Sequence, residues 1–355
     1  MLRHIALLAV VACGGTTDDD KGRADKGGGS DSATTAGTTD TAGPTVDTGP
    51  TTETRVTTDS GQVWVVDRFE QASPLAVDIL FVIDDSCSMG PMQTELSQSF
   101  PLFMSYLLGS GIDYHLGVTS TSIVSSASYC GGSYRDGELV SAQGIRWIDA
   151  DTPNPESVFS QMATLGTRGS GCEQGLGATY RALDPQFHSV NNGFLRADAE
   201  LHTIVMSDED DQTEAQVITL GDFKSWYDGL KPTPEATSFH SLVCTSTDGS
   251  TCSLGVGQRY INVSEDVGGV VADIRDPFDD FVDNLGLLAA GLQRSFTLSE
   301  VPQVDTLAVE VVNDFGATVL FDEQDWSYDA AVNAVTFVSY LPEPGSQVII
   351  RYTPR

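Results

Sequence analysis

The stretch Ile79-Leu-Phe-Val-Ile-Asp-Asp-Ser-Cys-Ser88 joins an apolar run to a turn whose side chains carry oxygen. The apolar run from Val77 to Ile83 predicts a buried parallel strand, because only a strand covered on both faces loses the alternation of polar and apolar side chains. Open α/β sheets bind their ligands beyond the carboxyl ends of such strands. The turn after Ile83 is therefore the first candidate for a functional site.

Three side chains of this turn, Asp84, Ser86 and Ser88, stand at every second position and can direct their oxygens to one point. One carboxylate and two hydroxyls suit a hard divalent cation such as Mg²⁺, which prefers about six oxygen ligands. In a simpler interpretation, Ser86 or Ser88 only caps the helix that follows. The pattern D-x-S-x-S after such a strand resembles the metal-ion-dependent adhesion site of von Willebrand factor type A (vWA) domains.

A second apolar strand, Leu201-His-Thr-Ile-Val-Met-Ser-Asp208, also ends in acidic residues. In vWA domains a strand of this kind supplies the last metal-linked aspartate, and Asp208 is the matching position. A solvated acidic loop is the alternative interpretation. A calcium loop of the EF-hand type is excluded, because the sixth position from Asp208 is Thr213 rather than Gly and the twelfth is not Glu.

Between these strands, the glycine-rich segment Leu165-Gly-Thr-Arg-Gly-Ser-Gly-Cys-Glu-Gln-Gly-Leu176 opens a helix. The vWA resemblance implies a metal-binding threonine just before that helix, with Thr167 as the first candidate and Ser170 as the second. The segment is longer and richer in glycine than is usual in the family, so the choice between these two ligands stays open. The alternative is a flexible turn in which Ser170 or Thr167 only caps the helix that follows. A phosphate-binding P-loop is excluded because the G-K-[ST] ending is missing.

The whole chain predicts an α/β fold with a β-rich addition. From about Val77 to Phe296 apolar strands alternate with amphipathic helices, which is typical of a parallel sheet wrapped by helices. Beyond Ser295 the alternating runs predict short strands with Gly, Asn and Pro turns between them. The resemblance implies a doubly wound, Rossmann-like vWA domain with a central, mainly parallel sheet over residues 61–295, followed by a small all-β module over residues 296–355. Bacterial lipoproteins of this type share further pieces of the sequence, namely Gly169-Ser-Gly-Cys-Glu-Gln174, Asn192-Gly-Phe-Leu-Arg196 and Ser207-Asp-Glu-Asp-Asp211.

The N-terminal segment resembles a bacterial lipoprotein signal. Residues 1–12 carry one arginine and an apolar stretch too short to span a bilayer, and Cys13 is the expected site of lipidation. Residues 13–60 hold the lipidated cysteine and a Gly-, Ser-, Thr- and Asp-rich tether that cannot bury enough apolar surface to fold. We therefore expect an exported protein, lipid-anchored to the membrane of the cell envelope, with the outer membrane preferred.

The charge of the chain excludes one class of partner. The 50 acidic and 18 basic residues give a formal net charge of −32, and nucleic-acid binding needs clustered Lys and Arg. An acidic surface also attracts divalent cations, which agrees with the metal site without specifying it.

Apart from Cys13, the chain has five cysteines. Because an exported protein is expected to form disulfides, we expect two disulfides and one free thiol. Cys244 and Cys252 flank a turn-rich segment and predict one bond. Cys87 and Cys172 would lie on adjacent loops of the metal site if the vWA fold is right, and they are the expected second pair. A zinc site is the alternative, but no C-x-x-C spacing supports it.

The vWA resemblance implies a metal-dependent binding protein rather than an enzyme. The cation, Mg²⁺ with Mn²⁺ or Ca²⁺ as alternatives, would be held by Asp84, Ser86, Ser88 and Thr167, with Asp208 acting through water. An open coordination position would accept a carboxylate from a partner protein. Two alternatives stay open: a scaffold whose ion only stabilises the fold, and a metal-assisted hydrolase with Glu173 or Glu209 as base.

Overall fold

The computed structural model describes residues 53–59, 62–71, 76–126, 131–249, 251–338 and 340–355. The expected signal peptide (1–12) and Cys13 lie outside these ranges, as does most of the tether (13–60). Within the described ranges, no helix combines the length and the apolar character that crossing a membrane requires.

The α/β part of the chain alternates strands and helices, as the sequence predicts. Two N-terminal strands, β1 (Glu53–Asp59) and β2 (Gln62–Glu70), precede it. Its elements are then β3 (Ala76–Ile83), α1 (Gly90–Ser110), β4 (Asp113–Ser120), α2 (Pro155–Ala163), α3 (Gly175–Leu183), β5 (Glu200–Ser207), α4 (Leu220–Asp228), β6 (Thr237–Val243), α5 (Gln258–Val267), β7 (Val271–Asp273) and α6 (Phe278–Ala289).

The sheet of this part has the order β4-β3-β5-β6-β7, and every neighbouring pair is parallel. From β3 the chain first adds a strand on one side and then continues on the other, so the order reverses between β3 and β5. Crevices beyond the carboxyl ends of the strands at such a reversal are where open α/β sheets bind ligands. The residues that follow Ile83 in β3 and Ser207 in β5 lie at this reversal.

Both faces of the sheet are covered, which confirms the doubly wound α/β fold class. Alternate side chains of β3 point to opposite faces, because successive residues of a strand do so. One face packs against α1, α2 and α6, and the other against α3, α4 and α5. The residues of β3 in the first core are Val77, Ile79, Phe81 and Ile83, and those in the second are Leu80 and Val82. All are almost completely buried, which explains the unbroken apolar run in the sequence.

The second part of the fold is built of antiparallel strands in two sheets. Its C-terminal elements are β8 (Ser295–Thr297), β9 (Ala308–Val312), β10 (Thr318–Phe321), β11 (Trp326–Asp329), β12 (Ala334–Phe337) and β13 (Gln347–Tyr352). A five-stranded sheet has the order β1-β2-β13-β9-β10, and a three-stranded sheet has the order β11-β12-β8. Side chains from both sheets share one core, in which the ring of Phe296 lies 5.2 Å from that of Phe69 and 6.0 Å from that of Phe337.

The division of the chain differs from the expected one on the N-terminal side. Strand β1 falls in the range assigned to the tether (13–60), and β2 falls in the range assigned to the α/β domain (61–295), yet both belong to the sheet of the β-module. Strand β2 buries Val65 and Phe69 in that module and pairs with β13 from Val65 to Glu70. Its Arg68 donates a hydrogen bond to Gln347, 279 positions away. A local pattern cannot show so distant a pairing.

Candidate functional site

The turn after β3 is organised around Asp84, whose side chain is completely buried. Its Oδ1 accepts a hydrogen bond from the Ser86 backbone N–H at 2.7 Å, which folds the turn back on itself. The Ser86 and Ser88 hydroxyl oxygens lie 3.2 Å apart, with Ser86 buried and Ser88 exposed. Gln93 of α1 donates to the Asp84 carbonyl at 2.8 Å and fixes the turn to the helix. The structure thus brings the three predicted oxygens of this turn together.

The carboxyl end of β5 lies directly beside this turn. The Asp84 backbone N–H donates to the Met206 carbonyl at 2.9 Å, and the Ser207 hydroxyl donates to Asp84 Oδ2 at 2.7 Å. Asp208 follows at once and is only 3% exposed. Its Oδ1 is buried and has no hydrogen-bond partner among the described residues. Asp84 and Asp208 therefore approach each other at the reversal of strand order.

The glycine-rich segment packs against the same turn. The Gly169 N–H donates to the Asp85 carbonyl at 2.8 Å, and Gly166 and Gln93 exchange two hydrogen bonds of 3.0 Å. A Cβ added to Gly169 would lie 2.1 Å from Asp85 Oδ1, so this contact requires glycine. The absence of a side chain at Gly169 thus lets the third loop reach the site.

The two candidate ligands of this segment have different surroundings. Thr167 is exposed, and its methyl group is directed toward Gly90 at the start of α1, where an added Cβ would lie 3.4 Å from Thr167 Cγ2. Ser170 is buried, and its hydroxyl accepts the Cys172 N–H at 3.0 Å. The Ser170 N–H donates to the Ser122 hydroxyl, which donates in turn to Asp85. Ser170 is therefore bonded to the Asp85 network rather than to Asp84.

Glu173, two residues before α3, is a component of the site that the ligand prediction did not include. Its side chain is completely buried. Gln212, in the loop after β5, donates its backbone N–H to the Glu173 carbonyl at 2.6 Å and its Nε2 to Glu173 Oε2 at 3.0 Å. The same Nε2 reaches Glu209 Oε2 at 3.3 Å. The other carboxylate oxygen of Glu173, Oε1, is buried without a partner.

These carboxyl groups shift one another's pKa values. Burial first, and then the charge of Asp208, raise the pKa of Asp84 to about 7 against hydrogen bonds that lower it. Burial, followed by the charges of Asp84 and Glu209, raises the pKa of Glu173 to about 10. Burial also raises the pKa of Asp208, although the Ser88 hydroxyl opposes the shift. The site is therefore a buried cluster of carboxyl groups that hold their protons at neutral pH more strongly than free side chains do, because no cation among the described residues around it compensates their ionised forms.

The remaining acidic residues after β5 have structural partners. The Asp211 carboxylate accepts the Leu176 N–H at 3.0 Å near the start of α3 and forms an ion pair of 3.0 Å with Arg259 of α5. Asp210 accepts the Arg259 backbone N–H at 2.8 Å. These two aspartates hold helix starts in place, and Asp208 differs from them in its unpaired oxygen.

The donor set fits a hard divalent cation. Across the residues that the structure describes, no group of three or more His, Cys, Asp or Glu side chains could hold a metal by itself. The site instead combines the carboxylates of Asp84 and Asp208 with the hydroxyls of Ser86 and Ser88, and oxygen-only sets of this kind suit Mg²⁺, Mn²⁺ or Ca²⁺. Asp208 Oδ1 is buried and has no hydrogen-bond partner among the described residues, which is energetically costly. A bound cation would compensate this oxygen.

The cysteines follow the prediction only in part. The Cys244–Cys252 disulfide is confirmed, with Cα atoms 5.5 Å apart. Cys172 is also disulfide-bonded, but Cys87 is a free, exposed thiol, so the expected Cys87–Cys172 pair is wrong. The reason is geometric: the Cys87 side chain points to solvent from the turn after β3, whereas Cys172 is buried in front of α3.

A pH dependence of stability follows for the metal-free protein. The folded-state pKa values of Asp84 and Glu173 lie above the values of the free side chains, so their contribution is present at low pH and is lost as pH rises through about 7 and about 10. We expect the melting temperature in chelator to fall by a few degrees between pH 6.5 and 9, at roughly 2–4 °C per kcal/mol. Burial lowers the pKa of His240 below the ordinary value of 6.5. This residue therefore makes the protein more stable as the pH rises toward 6.5, and it has no effect on the slope above that pH. Saturating Mg²⁺ should remove the slope, and a flat profile in chelator would contradict the prediction.

The chain is similar in structure to several solved proteins, although it matches no known family. No family model matches the chain, and no curated protein does. Among solved structures, the pilus adhesin SpaC from Lactobacillus rhamnosus GG in its open conformation is 11% identical with a TM-score of 0.46, covering 85% of this chain and 42% of that one. A von Willebrand factor type A structure from Catenulispora acidiphila is 13% identical with a TM-score of 0.40, covering 86% and 66%. Proximal thread matrix protein 1 from the mussel byssus is 12% identical with a TM-score of 0.35, covering 65% and 51%. The chain thus spans less than half the length of the pilus adhesin.

Proposed function

We propose that this chain is a non-enzymatic binding protein of the vWA type, in which a divalent cation at the carboxyl ends of β3 and β5 binds a carboxylate of a partner protein. One observation carries the proposal. Asp84 and Asp208, from the two strands between which the sheet order reverses, are both buried, and Asp208 Oδ1 has no hydrogen-bond partner in the described part of the chain.

The ligands would come from the turns already described. The cation would be held directly by Asp84, Ser86 and Ser88, and Asp208 would act through water. The glycine-rich segment would supply a further ligand, which the sequence predicts to be Thr167. The cation would supply a preorganised positive charge that attracts an anionic oxygen. The exposed position of Ser88 places one side of the site in contact with solvent, where a partner can approach.

The cellular setting is part of the proposal. The arginine and apolar stretch of residues 1–12, followed by Cys13, support export and attachment to the cell envelope by a lipid, with the outer membrane preferred. A protein partner carrying an exposed Asp or Glu fits this location, and the formal net charge of −32 disfavours nucleic acid.

Calorimetric titration of Mg²⁺, Mn²⁺ and Ca²⁺ into the purified chain tests the metal site. We expect saturable binding of at least one cation, and a loss of about a hundredfold or more in affinity for Asp84→Ala, since a direct carboxylate ligand then disappears. Asp222→Ala is the matched control, because that exposed carboxylate lies at the start of α4. Equal binding by the chain and its Asp84→Ala variant, or none by either, would exclude the site.

The open coordination position needs a second measurement. With Mn²⁺ bound, a short glutamate-containing peptide should displace metal-bound water and lower the relaxation rate of solvent protons, whereas the same peptide with glutamine should not. If Mn²⁺ raises the melting temperature but the peptide changes nothing, the ion only stabilises the fold and the scaffold interpretation is correct.

A further inference from the structure

We propose that Glu173, rather than Thr167 or Ser170, is the side chain through which the glycine-rich segment binds the cation. The inference rests on the proposed function, because it names a ligand of the same site. It also changes the chemistry of that site, since a carboxylate takes the place of the hydroxyl that the sequence resemblance implies.

The first support is the position of Glu173. It lies two residues before Gly175, the first residue of α3, and so occupies the end of the segment that comes just before the helix. Its backbone carbonyl accepts the Gln212 N–H at 2.6 Å, which joins it to the loop that carries Asp208. The Gln212 Nε2 group also lies between Glu173 Oε2, at 3.0 Å, and Oε2 of Glu209, the residue after Asp208, at 3.3 Å. Glu173 therefore belongs to the same buried carboxylate cluster as the two aspartates.

The second support is the unpaired oxygen. The Glu173 side chain is 0% exposed, and its Oε1 has no hydrogen-bond partner, while Oε2 accepts from Gln212. A buried carboxylate with an unsatisfied oxygen is costly unless a cation or a proton compensates it. Asp208 Oδ1 is orphaned in the same way. A divalent cation shared between these residues would satisfy both oxygens.

The two hydroxyl candidates lack this feature. Thr167 is exposed to solvent, and its methyl group lies on the side of Gly90. The Ser170 hydroxyl already accepts the Cys172 N–H, and the Ser170 backbone is bonded to Ser122. Neither hydroxyl is a buried group that needs a partner, which distinguishes both from Glu173. Gln174, the next residue, is also buried and its side-chain amide lacks partners among the described residues, but it has no negative charge to offset that of a cation.

Binding through Glu173 requires its side chain to move. In the described residues the carboxylates do not form a group of three that could hold a metal. The Gln212 hydrogen bond of 3.0 Å is the contact that Glu173 would give up or share. A third carboxylate would tighten cation binding, and it would also neutralise more of the cation's charge, so a partner carboxylate would be held less tightly than at a site with hydroxyl ligands.

The test compares Glu173→Gln with Thr167→Val in the full chain, using Mn²⁺ alone in calorimetry. Glutamine keeps the size of the side chain but loses its charge, and valine keeps the shape of threonine but loses its hydroxyl. We expect Glu173→Gln to weaken Mn²⁺ binding about tenfold or more, and Thr167→Val to change it less than about twofold. In chelator at neutral pH, Glu173→Gln should melt close to the temperature of the unmodified chain, because a buried carboxyl group that keeps its proton is replaced by a neutral amide of the same size, and this shows that the fold is intact.

Three results would overturn the assignment in distinguishable ways. Unchanged affinity in Glu173→Gln, beside a loss in Thr167→Val, would restore threonine as the ligand and leave the proposed function standing. A loss in Glu173→Gln that accompanies a lowered melting temperature in chelator would mean that Glu173 acts only on the fold. Absence of Mn²⁺ binding to the unmodified chain, or binding that survives Asp84→Ala, would remove the site itself and the assignment with it.

Discussion

Replacing Asp78 with alanine is expected to remove about 3–5 kcal/mol from the free energy of unfolding, because the change leaves the buried Lys231 ammonium group without its counter-charge and Arg196 with only its exposed partner, Asp113. Asp78 lies in β3 and is completely buried. Its Oδ1 accepts the Arg196 Nε–H at 2.7 Å, and its Oδ2 accepts the Arg196 backbone N–H at 2.6 Å. The Lys231 ammonium group, whose side chain is also completely buried, lies 3.3 Å from Oδ2. A loss of this size is a large part of the 5–15 kcal/mol typical of a folded domain.

The matched control uses the same arginine. Asp113 pairs with Arg196 at 2.9 Å, but its side chain is 66% exposed, so Asp113→Ala should cost no more than about 1 kcal/mol. Urea unfolding followed by circular dichroism measures both variants. Equal losses below about 1 kcal/mol would show that Arg196 and Lys231 reach solvent once Asp78 is gone. Addition of Lys231→Met to Asp78→Ala should recover part of the loss, because a buried charge is then replaced by an apolar side chain of similar length.

The strands were predictable because burial on both faces imposes a composition that can be read locally. Strands β3 and β5 each contain a run of large apolar side chains, and those runs follow from the helices that cover both faces of the sheet. Asp78 shows the limit of this reasoning. It lies within the apolar run, and its role depends on Arg196 and Lys231, which stand more than a hundred positions away. Nothing in the local pattern identifies such partners.

The candidate site was predictable where its oxygens follow a strand end. Asp84, Ser86 and Ser88 occupy one turn, so their spacing alone suggests convergence, and the structure brings them together. The contribution of Glu173 depends on tertiary burial, which turns an ordinary acidic residue into a group with an unpaired oxygen. The sequence offered Glu173 only as the base of an alternative hydrolase. Its position two residues before a helix was a signal that could have suggested a ligand.

The extent of the β-module was the least predictable feature, because it depends on pairing between the two ends of the described chain. The residues of β2 alternate as a strand should, with Val65 and Phe69 turned to the core. Their partners in β13 could not be inferred from spacing, and β1 was assigned to the tether because its Thr-rich composition matches the segment before it.

Substitution of Gly169 by alanine is expected to weaken Mg²⁺ or Mn²⁺ binding about tenfold or more without removing any ligand. The added Cβ would lie 2.1 Å from Asp85 Oδ1 and 2.7 Å from the Asp85 carbonyl oxygen, which now accepts the Gly169 N–H. Backbone atoms cannot move aside as a flexible side chain does, so the glycine-rich segment must separate from the turn after β3. Asp85 has little freedom of its own, because its Oδ1 accepts the Ser122 hydroxyl at 2.6 Å. Tenfold in affinity corresponds to about 1.4 kcal/mol, within the 1–3 kcal/mol typical of an overpacked contact.

Gly109→Ala separates this effect from a general response to alanine. Gly109 lies near the end of α1 with nothing within 4 Å of an added Cβ, and alanine is favoured over glycine in a helix by about 1 kcal/mol. We therefore expect Gly109→Ala to keep its metal affinity and to melt slightly higher. Calorimetry and thermal melting in chelator compare the two variants. If Gly169→Ala melts lower but binds Mn²⁺ as tightly as the unmodified chain, the glycine-rich segment supports the fold without shaping the metal site. A joint loss of affinity from Gly169→Ala and Glu173→Gln would instead mean that the segment supplies a ligand whose position depends on the contact between Gly169 and Asp85.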